Sequence, residues 1–135
     1  MTEETTVERE GFTAETFARF WAKPDLSTPS DDLDDDVVGY WPGEDEPVRG
    51  RDEYVGALSE LLARLSDLTL RVAESADNGE YIFIRWVARA TGVDGPIEQT
   101  GVDRIKVENG KVVENRIFFD RAQFERKLGR SLDLI

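Results

Sequence analysis

Asp103 is the residue of this chain whose type and position best suit chemistry. It lies in Ile97-Glu98-Gln99-Thr100-Gly101-Val102-Asp103-Arg104-Ile105-Lys106-Val107, which alternates as a β-strand does. One face carries Ile97, Gln99, Gly101, Asp103, Ile105 and Val107. The other carries Glu98, Thr100, Val102, Arg104 and Lys106. The first face is the drier one, so a carboxylate is set among apolar neighbours. Burying a charge is costly unless it is paired, and burial raises a carboxyl's pKa. Asp103 is then either a proton-moving group in a cavity or half of a buried ion pair, with Arg85 as the cation.

The chain has no histidine and no cysteine. That removes Ser-His-Asp and Cys-His chemistry, thiolate ligands, disulfides and the usual neutral-pH proton shuttle. Acid–base work falls to Asp, Glu, Tyr or Lys. Asp31-Asp32-Leu33-Asp34-Asp35-Asp36 offers clustered carboxylates, but it lacks the glycine and distal glutamate of a calcium loop. It reads as a short solvated helix or turn ahead of a strand. Asp120 stands at a strand end, where Phe119-Asp120-Arg121-Ala122-Gln123-Phe124 explains it as a helix cap.

Net charge is −12, and it is uneven: residues 1–53 hold 16 acidic and 5 basic side chains, residues 54–135 hold 13 and 12. Such a surface repels phosphates and anionic lipids, so neither nucleic acid nor a membrane is expected as a partner. No apolar run approaches the ~20 residues of a membrane span. The start, Met1-Thr2-Glu3-Glu4, lacks a signal peptide's basic and apolar regions, which sets the expected location as cytoplasmic.

The elements that must position Asp103 are legible as an α+β pattern. Residues 1–11 read as a flexible acidic N-terminus, and 12–135 as one domain. A helix is expected from about Thr13 to Lys23, capped by Thr13, stapled by Phe12 and Phe17, and stopped by Pro24. Val37-Val38-Gly39-Tyr40-Trp41 reads as a strand. A longer helix follows from about Asp52 to Leu65, with Tyr54, Leu58, Leu61, Leu62 and Leu65 as a core stripe. Four antiparallel strands come next, near 68–75, 81–91, 97–108 and 112–119. Asn78-Gly79, Asp94-Gly95 and Asn109-Gly110 join them as hairpin turns. A closing helix begins at Asp120, and Gly129 suits its end.

At this point the sequence resembles the nuclear-transport-factor-2-like superfamily, and within it the SnoaL-like polyketide cyclase group. The resemblance rests on Phe17-Ala18-Arg19-Phe20-Trp21, on Val48-Arg49-Gly50-Arg51-Asp52, and on Gly101 through Glu114, continuing through Phe119-Asp120 to Lys127-Leu128-Gly129. It implies a cone-shaped α+β fold: a curved antiparallel sheet wrapped by about three helices, with an internal pocket. Ketosteroid isomerases place a hydrogen-bonding aspartate where Asp103 stands, and their general base would fall near Tyr40. Limonene epoxide hydrolases have an Arg-x-Asp where Arg85-Trp86-Val87 stands here, and their other aspartate would fall at Ile117.

By that resemblance Tyr40, Arg85, Asp103, Asn115 and Ile117 would share one cavity. Asp103 would be the acid–base residue, while Tyr40, Arg85 and Asn115 orient ligand oxygens. Each has a structural alternative: an ion pair, an aromatic wall, a satisfied core amide. Trp21, Trp41 and Trp86 serve the core, a dimer contact or ligand stacking, with Trp21 kept among the ligand-facing residues. The implied activity is proton transfer beside a carbonyl, leading to cyclisation or isomerisation of a small, mostly apolar, oxygenated molecule. The alternative is a non-catalytic small-ligand-binding module of the same fold. No metal or organic cofactor is implied. A homodimer is expected, by the resemblance and because Ile82, Ile84, Trp86 and Ala88 would otherwise leave an exposed apolar patch.

Overall fold

The computed structural model describes residues 10–27 and 31–132. Most of the expected flexible N-terminus therefore lies outside the described residues. Helix α1 (Ala14–Ala22) is followed by β1 (Leu33–Tyr40), β2 (Val48–Arg49) and α2 (Arg51–Arg64). Then come β3 (Thr69–Asp77), β4 (Tyr81–Gly92), β5 (Gly95–Glu108), β6 (Lys111–Phe118) and α3 (Arg121–Leu128). One sheet holds all six strands in the order β2-β1-β6-β5-β4-β3. The expected meander is its antiparallel half. β1 closes onto β6 in parallel, so the sheet is mixed. Register shifts in β1, β3 and β6 interrupt the ladders, and such bulges bend a strand.

Local chemistry accounts for the elements. Thr13 caps α1, accepting from the Thr16 backbone N–H while the Thr16 hydroxyl accepts from the Thr13 backbone N–H. The β5–β6 loop is Asn109-Gly110 with φ of 53° and 80°, the positive pair that a tight two-residue hairpin requires. At α3 only half of the expected capping box forms. Asp120 accepts from the Gln123 backbone N–H at 3.0 Å, but the Gln123 side chain instead accepts from Gln99 Nε2. Gly129 ends α3 at φ 78°.

Two expectations change. The aspartate run is not a helix or turn before the strand; it largely is the strand. Leu33 and Val37 are buried, while Asp35 and Asp36 between them lie exposed where the register with β6 shifts. Asp35 also meets Arg51 Nη2 at 2.7 Å. The second change concerns Ile82, Ile84, Trp86 and Ala88. They are buried at 5% exposure or less within one chain, under the helices. They form no patch for a partner subunit, because the apolar stripe of β4 is the face that meets the core.

Helix α3 is tied down by Arg121. Its Nη1 donates to Pro42 O at 2.9 Å and to Glu44 at 2.7 Å, fixing the loop that follows β1 and holding Trp41 inward. If Asp120 is the helix cap, Asp120→Ala should cost about 1 kcal/mol in urea unfolding. It should leave ligand binding in the cavity described next as it was.

Candidate functional site

Helices α1 and α2 stand off the inner face of the sheet and leave a cavity of about 410 Å³. Phe17, Phe20 and Trp21 of α1 wall one side, Tyr54 and Leu58 of α2 another, and Asp103, Asn115 and Ile117 form the sheet floor. Register explains the floor. Asp103 lies beside Ile117 on β6 and Ile84 on β4, and Asn115 lies beside Ile105 on β5 and Gly39 on β1. Neighbours across a sheet share a face, so Asp103 and Asn115 are polar groups inside an apolar row.

Their partners are neutral. Trp86 Nε1 donates to Asp103 Oδ1 at 2.8 Å, and Asn115 Nδ2 donates to Asp103 Oδ2 at 3.0 Å. The same amide nitrogen donates to the Tyr54 hydroxyl at 2.9 Å. Asp103 is 5% exposed, and burial pushes its carboxyl up to about 6 against the opposing pull of the two donors. Burial likewise pushes the Tyr54 hydroxyl well above its ordinary value; the charge of Asp103 adds to this and the Asn115 bond opposes it. Tyr54 therefore keeps its proton at neutral pH and has it available to donate. Asn115 Oδ1 and Trp41 Nε1 are buried without a partner among the described residues.

Two glycines make this arrangement possible. A Cβ at Gly101 would collide with the Trp86 ring, and one at Gly39 would stand 2.8 Å from the Tyr54 ring. With only hydrogens there, the Trp86 ring packs against β5 and the Tyr54 ring against β1. The indole N–H reaches Asp103 from one side, and the phenol reaches Asn115 from the other.

The expected site residues divide cleanly. Asp103, Asn115, Ile117 and Trp21 line one cavity. Tyr40 and Arg85 do not. Tyr40 is the register partner of Arg116, whose guanidinium sits 3.9 Å from its ring centre on the outer face. The inward position of β1 is taken by Gly39. Arg85 pairs with Val102, again on the outer face, and its Nε meets Glu74 at 3.0 Å in solvent. This overturns the buried Asp103–Arg85 pair: a residue odd in the register with Ile84 and Trp86 cannot reach their side of the sheet. Sequence reasoning put Tyr54 in the core stripe and gave Trp86 a core, dimer or stacking role, without seeing that both meet the polar pair. A signal was present, since each puts one polar atom into an otherwise apolar stripe, and a buried Tyr or Trp tip needs a partner.

A family model described as a SnoaL-like domain matches residues 14–115. A search of curated proteins by sequence found no significant match. Among solved structures, the chain is similar to a nuclear-transport-factor-2-like protein of unknown function from Burkholderia pseudomallei. Identity is 26%, with 72% of this chain and 79% of that one covered and a TM-score of 0.63. It is also similar in fold to IdmH, a candidate polyketide cyclase from Streptomyces antibioticus, at 24% identity, 86% and 95% coverage and a TM-score of 0.73. A protein with a ketosteroid isomerase-like fold from Catenulispora acidiphila, crystallised with trimethylamine, shares the fold at 11% identity, 87% and 92% coverage and a TM-score of 0.76.

Two outcomes follow from the geometry. The folded protein holds the Asp103 proton more tightly than the unfolded chain, whose ordinary value is 3.8. Its contribution to stability is therefore greatest below that value and falls as pH rises through about 6. Asp103→Asn should remove this slope and leave the variant more stable than the parent at pH 8, by an amount on the order of 2–3 kcal/mol. Urea unfolding at pH 5 and pH 8 measures it; an unchanged slope would show that Asp103 is not desolvated. Gly101→Ala should displace the indole and cost about 1–3 kcal/mol, with a shifted Trp86 emission. Normal stability and emission would mean that the glycine has no such part.

Proposed function

We propose, from the premise that this chain belongs to the SnoaL-like domain family, that its cavity takes a small apolar oxygenated molecule and that Asp103 moves a proton on it. The observation that carries this reading is a buried carboxylate lining a cavity and held by two neutral donors, where burial pushes its pKa up to about 6. A base poised near the working pH is the most effective one. Just above that pH Asp103 is mainly ionised, and it can take a proton from a carbon next to a carbonyl. Negative charge then develops on the carbonyl oxygen. The Tyr54 hydroxyl, with its own proton unused and its oxygen fed by Asn115, is the donor for that charge. Trp86 and Asn115 fix the carboxylate, while Trp21 and Ile117 press the apolar body against it. Return of the proton to another atom gives isomerisation, and attack of the enolate carbon on a second carbonyl gives ring closure.

The second reading, a non-catalytic binding module, is favoured by one observation: both oxygens of Asp103 already accept a bond from the protein. The homodimer expected from the family would have to use the opposite sheet face, where Phe83 and Phe118 are exposed.

Apolar ketones incubated in deuterated water test the enzyme reading, because enolisation exchanges the proton next to the carbonyl. We expect exchange that rises with pH through about 6 and that falls about 10²–10⁴-fold in Asp103→Asn. Tyr54→Phe should lower it about 10²-fold or more. Exchange that is equal in Asp103→Asn and the parent would remove Asp103 from the mechanism. Binding of the ketone without any exchange would favour the binding module.

A further inference from the structure

We propose that the ligand of this cavity is cationic: an apolar body carrying a protonated or quaternary amine, with the amine at the solvent end. The inference rests on the cavity being a ligand site, as read above, and adds the charge of what it takes.

Among the described residues, the side chains that line the cavity include four carboxylates, Asp25, Asp31, Asp32 and Asp103, and no lysine or arginine. Their placement is polarised. Asp103 is buried on the sheet floor, whereas Asp25 and Asp31 are exposed and Asp32 is half-buried, so these three mark the mouth. Two basic groups lie close by, and neither lines the cavity. Lys23 is exposed and acts on Asp25 through its charge. Arg51 is bound to Asp35 and to Leu33 O. Low-dielectric walls concentrate a field of one sign, so an anion approaching this mouth is repelled and a cation is drawn in.

Between the two ends the wall is aromatic. Phe20 and Trp21 meet edge-on, at 5.0 Å and 86°, and both line the cavity. Ring faces attract ammonium groups, more strongly once water is excluded. No group of three or more Asp or Glu among the described residues is arranged to hold a metal ion, which favours an organic cation over a bare one. Trp41 adds an independent sign of a ligand. It is 9% exposed and lines the same cavity, and its Nε1 has no acceptor among the described residues. A ligand oxygen would satisfy it. The class that fits is therefore an apolar amine with a carbonyl, ether or hydroxyl oxygen farther in.

Three probes of one shape test this: naphthylmethyl-trimethylammonium, acetylnaphthalene and naphthoate, each titrated calorimetrically into the whole chain at low and high salt. We expect the ammonium to bind about tenfold or more tighter than the ketone, and the carboxylate to bind weakest. Salt should narrow the spread. Replacing the mouth carboxylates together, Asp25→Asn with Asp31→Asn and Asp32→Asn, should bring the ammonium down toward the ketone. Naphthoate binding as well as the ammonium, or a triple variant with the parent's preference, would overturn the proposal. Ketone binding with no charge preference overturns it while sparing the reading of the cavity. If no probe binds, both fall.

Discussion

A carboxylate that sits in an apolar interior without a cation constrains everything around it. Among the described residues Asp103 contacts no lysine or arginine, and its charge is tolerated because Trp86 and Asn115 each aim a donor at it. Neutral donors offset part of the desolvation cost and leave the rest as a raised pKa. An arginine in their place would have held the carboxyl ionised and inert at neutral pH. The absence of histidine from the chain makes this arrangement consequential, since a buried carboxyl is then the natural group to titrate near neutrality.

The donors in turn depend on the sheet and its helices. Trp86 comes from β4, Asn115 from β6 and Tyr54 from α2, so the polar cluster exists only when those elements are packed. The parallel pairing of β1 with β6 brings Gly39 alongside Asn115 and opens the space that the Tyr54 ring occupies. Arg121, clasping the loop after β1, keeps Trp41 facing the same cavity. Site and fold are thus one set of contacts rather than a cluster placed on a scaffold.

Much of this was legible beforehand. Alternation in β5 put Asp103 among apolar residues, the Asn-Gly pairs marked the turns, and Thr13 and Gly129 marked helix ends where they are found. Alternation in β4 also showed Ile82, Ile84, Trp86 and Ala88 as a clean stripe. The family resemblance pulled the other way, lining up Arg85 and Tyr40 with residues of related enzymes. Strand parity is a hard geometric constraint and the alignment of a divergent strand is not, so parity prevailed. What sequence could not show was the diagonal reach of two aromatic rings. That depends on which residue stands opposite which, and the parallel partner of β1 lies some 75 residues away along the chain.

The polar row also has a consequence for how the sheet assembles. A wholly apolar inner face would accept a slip of β5 by two residues, since that keeps every side chain on its own side. Here such a slip would bring Gly101 or Ile105 to the place of Asp103. The indole N–H and one amide hydrogen would be left stranded in the interior, at a cost of roughly 1–3 kcal/mol each. The residues that suit the cavity for chemistry therefore also act as a gauge of alignment, tolerating one pairing of four strands and penalising its nearest competitor.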